Sequence, residues 1–218
     1  MTTLIVIAKE TIPGKVKTRL SPAFTPCQAA QLAAAAISDT FAAVATLPFS
    51  RRILSYDGDV LPPDSESFEV IPQVSGDLDA RLGAIFDECD GPSVLIGMDT
   101  PQVAANDLRV ISGSWREDID AWFGPASDGG FWALGLANPD GNLVRGVPMS
   151  RDDTGERQLA RLLGAGLRVE TLPTLTDVDT IADAREVAAL APYTRFASLF
   201  REYTMDQFVT PSGAGSRS

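Results

Sequence analysis

Four cationic side chains surround a Pro-Gly turn near the start of the chain. Lys9, Lys15, Lys17 and Arg19 lie within residues 3–22, where an apolar run of strand length passes directly into a loop. The whole chain has 18 basic residues against 29 acidic ones, so this local cluster stands out. Lysine binds phosphate as a point charge and arginine binds it as a bidentate fork. The loop therefore predicts a phosphate site or, on composition alone, a basic loop that only contacts solvent.

Neither of the two common glycine-based phosphate motifs explains this loop. A P-loop requires a glycine five residues before its Gly-Lys pair, and Lys9 occupies that position before Gly14 and Lys15. The GxGxxG pattern is also absent from the loop, and the glycines at 164 and 166 lie between a predicted helix and a predicted strand. We therefore expect the loop to bind phosphate through side-chain charge and through its backbone.

A carboxylate follows the most hydrophobic predicted strand, residues 93–97. This residue is Asp99, and Thr100-Pro101 comes directly after it. A carboxylate at the point where a buried strand meets solvent is well placed to bind Mg²⁺ or Mn²⁺, which prefers one or two carboxylates together with phosphate oxygens. The alternative is that Asp99 caps the next helix.

A second acidic pair lies late in the chain, where Asp177 and Asp179 flank Val178. In an extended backbone this spacing puts both carboxylates on one side. Two like charges so close are unfavourable unless a cation or hydrogen-bond donors neutralise them. The alternative is that Asp179 or Thr180 caps the helix that begins at Ile181, and both roles are compatible.

A third candidate, Asp128, lies in the glycine-rich stretch 124–130. Glycines on either side of it permit close approach of the backbone to a ligand. Its carboxylate could accept a proton from an attacking hydroxyl, or orient that hydroxyl. The alternative is an ordinary turn aspartate before a diglycine hairpin. Trp132 is expected in the core.

The elements that position these residues alternate between strands and helices. The predicted strands cover residues 4–8, 52–55, 68–71, 93–97, 121–123, 131–136 and 168–172. The predicted helices cover residues 26–45, 103–111, 155–163 and 181–190, with one more that begins at 76–77 and continues past 86. This alternation predicts an α/β protein with an open, mostly parallel sheet and helices on both faces. In such sheets ligands bind outside the carboxyl ends of the strands.

Composition excludes several classes of function. The chain contains no histidine, which excludes Ser-His-Asp hydrolysis, histidine metal sites and histidine general bases. A net charge of −11 disfavours partners such as nucleic acid or an anionic membrane. Cys27 and Cys89 fit no metal or redox spacing, so we expect reduced, buried thiols and a cytoplasmic location. No apolar run is long enough for a signal peptide or a membrane span.

Five stretches in this order resemble a known family. They are AKETIPGKVKTRLSP at 8–22, QVSGDLDARL at 73–82, IGMDTP at 96–101, GPASDGGFWALGL at 124–136 and TDVDTIAD at 176–183. Together they resemble the bacterial DUF2064 transferases, also described as rSAM-selenodomain-associated, within the GT-A-like nucleotide-diphospho-sugar transferase superfamily. The layout is also similar to that of phospholactate guanylyltransferases. The resemblance covers roughly residues 3–190 and implies one Rossmann-like sandwich domain, over residues 1–209, with a disordered tail at 210–218.

The resemblance also implies roles for particular residues. It places phosphates against Lys9, Lys17 and Arg19, and Mg²⁺ or Mn²⁺ on Asp99, Asp177 and Asp179. We also expect Gly14, Gly76 and Asp77 to contact the nucleotide. For catalysis we expect Lys17 and Arg19 to stabilise charge and Asp128 to act as a base or to orient the acceptor. The family segment usually reads GDLGxRM, whereas this chain has Asp79 in place of the glycine and Leu82 in place of the methionine.

The expected function is transfer of a sugar, with a metal, from a nucleotide-diphosphate sugar to an unknown small-molecule acceptor. One alternative is nucleotidyl transfer, in which a nucleoside triphosphate is coupled to a phosphorylated acceptor and pyrophosphate leaves. A second alternative is a nucleotide-binding protein without turnover.

Overall fold

A seven-stranded sheet forms the centre of the protein, in the strand order β3-β2-β1-β4-β6-β5-β7. The computed structural model describes residues 1–209, so the tail 210–218, predicted to be disordered, lies outside the described residues. The strands are β1 (Thr3–Lys9), β2 (Arg51–Asp57), β3 (Glu69–Pro72), β4 (Ser93–Ile96), β5 (Ala121–Pro125), β6 (Phe131–Leu136) and β7 (Val169–Thr171).

The sheet is mostly parallel, as predicted. Only β6 runs against its two neighbours, β4 and β5, and the other four neighbouring pairs are parallel. The carboxyl ends of β1, β4, β5 and β7 therefore meet at one edge of the sheet. The loops that follow these four strands carry the predicted basic and acidic residues.

The described residues form six α-helices around the sheet. They are α1 (Pro26–Ala45), α2 (Leu78–Asp87), α3 (Ala105–Ser112), α4 (Thr154–Gly164), α5 (Ile181–Leu190) and α6 (Arg195–Val209). Helix α1 begins where the sequence predicts, because Thr25 accepts a hydrogen bond from Gln28 N and Pro26 occupies the first helical position. This α/β architecture agrees with the predicted fold class.

Alternate residues of β1 point into two separate cores. Leu4 and Val6 pack in a cluster with residues of α1 and α3. Ile5 packs on the opposite face with residues of α2 and α4. Burial on both faces explains why the central strands read as continuous apolar runs rather than as alternating patterns.

Helix α1 has two apolar sides. Ala30, Ala33 and Ile37 pack toward the sheet. Leu32, on the other side, packs in a third cluster with residues of α5 and α6. An alanine-rich helix suits this place because small side chains allow close packing on two sides at once.

Helix α6 is absent from the sequence prediction. Phe196, Phe200 and Tyr203 are its main buried residues and pack against α1. Their spacing of four and three residues is a helical signal. Thr194 provides a second signal, because its hydroxyl accepts a hydrogen bond from Ala197 N and so caps the helix.

Two expectations about single residues have different outcomes. Cys89 is buried as expected, but Cys27 is exposed. The expectation for Cys27 was wrong because this residue lies in the first turn of α1, before the buried part of the helix begins. Within residues 1–209, no helix combines the length and the hydrophobicity that crossing a membrane requires.

Asp39 joins α1 to the start of α6. Its two carboxylate oxygens accept hydrogen bonds from Arg195 N at 2.9 Å and from Phe196 N at 2.8 Å. Burial raises the pKa of Asp39, although these two hydrogen bonds oppose that rise. The carboxylate therefore satisfies two backbone donors that the first turn of α6 leaves free.

We expect Asp39→Ala to lower the free energy of unfolding by about 2 kcal/mol, because it leaves two backbone donors without acceptors. Urea denaturation measures this change. The matched control is Asp118→Ala, which removes an exposed carboxylate paired with Arg116 and should leave the midpoint nearly unchanged. Equal midpoints for both variants would contradict a capping role for Asp39.

Candidate functional site

A cleft of about 210 Å³ lies at the carboxyl ends of β1 and β4. Its wall combines both charge signs: the cations Lys9, Lys15, Lys17 and Arg19, and the carboxylates Asp99 and Asp179. Five of these six are predicted site residues, and Lys15 joins them although its side chain is exposed. The predicted basic loop and two of the predicted metal ligands thus form one surface.

The basic loop begins with a tight turn at Pro13-Gly14. Lys15 N donates to Ile12 O at 3.0 Å, and Gly14 has a φ of 80°, as the third position of a type II turn requires. A Cβ added to Gly14 would meet no atom within 4 Å, and Gly14 does not line the cleft. The glycine therefore serves the turn, and the structure does not place it against a phosphate position.

Lys17 reaches the floor of the cleft from a strained backbone. Its φ of 47° lies in the left-handed region, which is unfavourable for a residue with a side chain. Its ammonium lies 2.7 Å from Asp99 Oδ1, and only 10% of the side chain is exposed. Asp99 Oδ1 is itself buried, with the Lys17 ammonium as its ionic partner.

Arg19 forms the second ion pair of the cleft, with the Asp179 carboxylate. About 74% of the Arg19 side chain is exposed, compared with 42% for Asp179. Solvent and salt screen a pair of this kind, so it is easily exchanged for another partner. Arg19 is thus held near the cleft without being locked there.

Backbone hydrogen bonds bring the acidic loops together. Val178 N donates to Asp99 O at 2.9 Å, which ties the segment before α5 to the segment after β4. Ser127 N donates to Leu175 O at 2.9 Å, which ties the same segment to the turn that contains Asp128. The carboxylates at 99, 128, 177 and 179 therefore belong to three loops that are joined through the main chain.

Asp177 carries the most perturbed carboxyl group of this region. Its pKa is raised to about 7, mainly by burial and then by the nearby charges of Asp99 and Asp128, although Lys17 opposes this rise. Asp177 has no ion pair or side-chain hydrogen bond within the described part of the chain. The carboxyl group is thus unusually ready to bind a proton or a cation near neutral pH.

Asp128 adopts the turn arrangement that the sequence left open as an alternative. Its Oδ1 accepts a hydrogen bond from Gly130 N at 2.8 Å. Gly129 has a φ of 88°, and a Cβ there would come within 1.9 Å of Asp152 O, so only glycine fits. The turn nevertheless lies close enough to the cluster for the charge of Asp128 to raise the pKa of Asp177.

The capping alternatives have clear outcomes. Thr180, not Asp179, caps α5, since its side chain accepts from Asp183 N at 3.3 Å. Ala104 occupies the capping position of α3, so Asp99 caps no helix. Both carboxylates are therefore available to the cleft. Trp132 is buried as expected.

Gly76 and Asp77 lie away from Lys17. Asp77 lines a second cleft of about 320 Å³, which the start of α2 forms with residues 146–150. Asp79 lines this cleft too, and its Oδ2 accepts a hydrogen bond from Gly146 N at 2.7 Å. The departure from the family pattern at position 79 therefore gives this cleft a carboxylate that holds the 146–150 segment.

The structure does not arrange the carboxylates as a formed metal site. Among residues 1–209, no group of three or more His, Cys, Asp or Glu side chains is placed to hold a metal ion. Asp99 and Asp179 instead contact Lys17 and Arg19. The three-aspartate metal site therefore stays a prediction.

The distribution of lysine in the sequence could have indicated which residues line the cleft. The three lysines of the chain are Lys9, Lys15 and Lys17, and all three line the cleft. Every other cationic side chain is an arginine. The polar residues that hold the acidic loops together, Gln102, Ser127 and Thr176, carry no comparable signal, because each is an ordinary loop residue in the sequence.

A family model matches residues 28–151, which is more than half of the chain; its description is an uncharacterised protein conserved in bacteria, DUF2064. The chain belongs to the DUF2064 family. The matched part of this DUF2064 protein includes Asp99 and Asp128 but neither the basic loop nor Asp177 and Asp179. A search of curated proteins finds no match to the chain.

Solved structures share the fold of this DUF2064 protein. A candidate nucleotide-diphospho-sugar transferase from Desulfovibrio desulfuricans has a TM-score of 0.82 at 24% identity, over 94% of this chain and 95% of that one. A CMP-2-keto-3-deoxy-manno-octonic acid synthetase in complex with CTP has a TM-score of 0.55 at 12% identity, over 87% and 97%. The 2-C-methyl-D-erythritol 4-phosphate cytidylyltransferase from Thermus thermophilus has a TM-score of 0.51 at 15% identity, over 88% and 100%. At these identities the likeness establishes the fold.

We expect Asp177→Asn to stabilise the protein, in the absence of divalent cations, increasingly as pH rises. The raised pKa means that the parent is fully stable below the ordinary aspartate pKa of 3.8 and loses stability as pH rises through about 7. The variant lacks this loss. The difference in the free energy of unfolding between variant and parent should therefore grow to the order of 2 kcal/mol, or several degrees in Tm, by about pH 8.

Thermal denaturation at several pH values between about pH 4 and pH 8 measures this difference. Asp118→Asn is the matched control, because its exposed carboxylate is paired with Arg116. A difference between parent and Asp177→Asn that does not change with pH would contradict the assignment.

Proposed function

We propose that this chain is a metal-dependent transferase that moves a sugar from a nucleotide-diphosphate sugar to a small acceptor. The observation that carries the proposal is the cleft where Lys9, Lys17 and Arg19 face Asp99 and Asp179. Cations of this kind bind phosphate, and carboxylates bind the divalent ion that accompanies it. The similar fold of the candidate nucleotide-diphospho-sugar transferase, over 94% of this chain, supports the choice of donor.

The cations would bind the donor's phosphates. Lys17 and Arg19 already carry their charges into the cleft, and each is held there by one carboxylate. A diphosphate that enters the cleft offers these two side chains a more highly charged partner. Their charges would then stabilise the negative charge that develops on the leaving nucleoside diphosphate.

Asp128 would orient the acceptor hydroxyl or accept its proton. Its side chain is exposed on the turn after β5, where an acceptor can reach it. Gly130 N fixes the orientation of the carboxylate through Oδ1, so Oδ2 stays free to accept a proton. This combination of a fixed orientation and a free oxygen suits a general base.

A divalent ion fits the donor set by charge and by ligand type. Asp99, Asp177 and Asp179 supply only oxygen ligands, as Mg²⁺ and Mn²⁺ prefer. Asp99 Oδ1 is buried with Lys17 as its ionic partner, and Asp177 has no ion pair or side-chain hydrogen bond within the described residues. When bound, such an ion supplies Lewis-acid stabilisation of phosphate charge. Lys17 and Arg19 must first give up their carboxylate partners.

Nucleotidyl transfer is the second candidate. It is favoured by the two cytidylyl-transferring relatives that share the fold, one of which has CTP bound. In this reaction an acceptor phosphate attacks the α-phosphorus of a nucleoside triphosphate, and pyrophosphate leaves. The released product separates the two candidates. A nucleotide-binding protein that releases no product from any donor is the third candidate.

We expect a divalent ion and a nucleoside diphosphate to stabilise the protein more together than the sum of their separate effects. A divalent ion alone binds the two aspartates of the Lys17–Asp99 and Arg19–Asp179 pairs and leaves the two cations without partners, and a diphosphate alone does the reverse. Both ligands together give all four side chains a partner. At one hundred times its dissociation constant a ligand stabilises by about 2.7 kcal/mol. Thermal shifts with Mn²⁺, with diphosphates of each common base, and with both measure this effect.

The control for this experiment is a pair of aspartate variants. Asp99→Asn should lose the joint effect, and Asp118→Asn, outside the cleft, should keep it. The proposal is wrong if no nucleotide and no metal shifts the midpoint of the parent, and Asp99→Asn behaves like the parent throughout.

We expect the parent to release a nucleoside diphosphate from a nucleotide sugar, and Lys17→Met to lower that turnover roughly 100-fold, because one donor of transition-state stabilisation is lost. Chromatography of the released nucleotides, over a panel of donors and hydroxyl acceptors, measures both. Arg109→Met is the matched control, since Arg109 is exposed on α3 and does not line the cleft. Release of pyrophosphate from a nucleoside triphosphate would instead select the second candidate.

A further inference from the structure

Thr176 is hydrogen-bonded to three other parts of the protein. Its backbone oxygen accepts from Gln102 Nε2 at 2.7 Å. Its hydroxyl accepts from Ser127 Oγ at 3.2 Å and donates to Glu186 Oε1 at 3.3 Å. Only 8% of Thr176 is exposed, whereas Ser127 and Glu186 lie at the surface.

The partners of Thr176 are close neighbours of the acidic cluster in the sequence. Gln102 comes three residues after Asp99, and Ser127 comes directly before Asp128. Thr176 itself comes directly before Asp177. One buried residue therefore joins the three loops that carry these carboxylates, and it also joins them to α5 through Glu186.

We propose that Thr176 is a positioning residue that sets the place of Asp177 relative to Asp99 and Asp128. The proposal rests on the proposed function, because Asp99 and Asp177 are proposed ligands of the divalent ion and Asp128 is the proposed base. The three carboxylates carry like charges on loops that the main chain joins, so the loops repel one another. The bonds of Thr176 oppose that repulsion and hold the three loops together.

The arrangement of Gln102 supports a positioning role over a purely stabilising one. Its Nε2 is used for Thr176, while its Oε1 is buried and accepts no hydrogen bond. A buried acceptor without a partner costs free energy. Stability alone would favour an apolar side chain at position 102, and the amide is explained by the bond that it makes to Thr176.

The two hydroxyl partners of Thr176 point to the same role. Ser127 and Glu186 are both exposed, so water can satisfy their side chains if the Thr176 hydroxyl is removed. Thr176→Val keeps the shape of the side chain and leaves no buried side-chain group without a partner. The variant is therefore expected to fold, and its main effect should be on the relative positions of the loops.

Two measurements on one set of variants test the proposal. The set is Thr176→Val, the conservative Thr176→Ser, and the control Thr40→Val. Thr40 is fully buried in α1, where its hydroxyl donates to Ala36 O, so its loss tests a buried threonine hydroxyl away from the cleft. Gln102→Leu removes the remaining side-chain bond to Thr176 and serves as a second, independent variant.

The first measurement is amide hydrogen exchange of residues 175–179, well below the unfolding transition and without metal. The amides of Leu175 and Val178 bond to Pro125 O and Asp99 O across the joined loops. Thr176→Val and Gln102→Leu should each speed their exchange about tenfold. Thr176→Ser and Thr40→Val should leave it near the parental rate.

The second measurement is the affinity for Mn²⁺, from the electron paramagnetic resonance of free Mn²⁺, with inorganic pyrophosphate as the phosphate probe. Thr176→Val should bind Mn²⁺ about tenfold more weakly, as is typical when a group behind a metal ligand is lost. Thr176→Ser should restore the parental affinity, and Thr40→Val should retain it.

The outcomes separate this inference from the proposed function. If the parent binds no Mn²⁺ under any condition, the metal part of the proposed function fails, and hydrogen exchange alone decides the role of Thr176. If exchange in Thr176→Val equals that of the parent, the positioning role is refuted. It is refuted as well if the parent binds Mn²⁺ and Thr176→Val binds it equally tightly.

Discussion

Repulsion among neighbouring carboxylates is the constraint around which this end of the protein is built. Asp99, Asp128 and Asp179 each contribute charge at Asp177, whose pKa rises to about 7 through burial and these neighbours. An acidic chain can hold such a cluster only if cations lie against it. Lys17 and Arg19 fulfil this requirement by pairing with Asp99 and Asp179.

This constraint gives the basic loop a second role besides its proposed binding of phosphate. Its cations neutralise the protein's own carboxylates, and these ion pairs hold the loop against the cleft. The left-handed backbone of Lys17 shows that the position of this ammonium is maintained against a local conformational preference. The loop proposed to bind phosphate is thus kept in place by two of the carboxylates that are proposed to bind the metal ion.

The main chain, and not the side chains alone, keeps the cluster together. Hydrogen bonds from Val178 N to Asp99 O and from Ser127 N to Leu175 O connect loops that follow β4, β5 and β7. The reversed strand β6 separates β4 from β5 in the sheet, so these loops meet across one intervening strand. The sheet order thus brings loops from separate strands to the edge where the cleft lies.

Most of the fold could be predicted from local patterns in the sequence. Helix α1 and helix α5 have their predicted bounds, because Thr25 and Thr180 provide capping signals and the apolar residues that follow recur at helical spacing. The second apolar side of α1 and the whole of α6 could not be predicted in the same way. They depend on each other, since α6 packs on the side of α1 that the sheet does not cover.

The candidate site, like the fold, could be predicted only in part from the sequence. The residue types and their places after β1, β4 and β7 were enough to select Lys9, Lys17, Arg19, Asp99 and Asp179, because parallel strands bring their carboxyl ends to one edge of a sheet. Only the tertiary structure decided that Lys17 pairs with Asp99 and that Thr176 joins the acidic loops. Those outcomes depend on distances between residues as many as 82 positions apart, such as Lys17 and Asp99, and no local pattern in a sequence encodes such a distance.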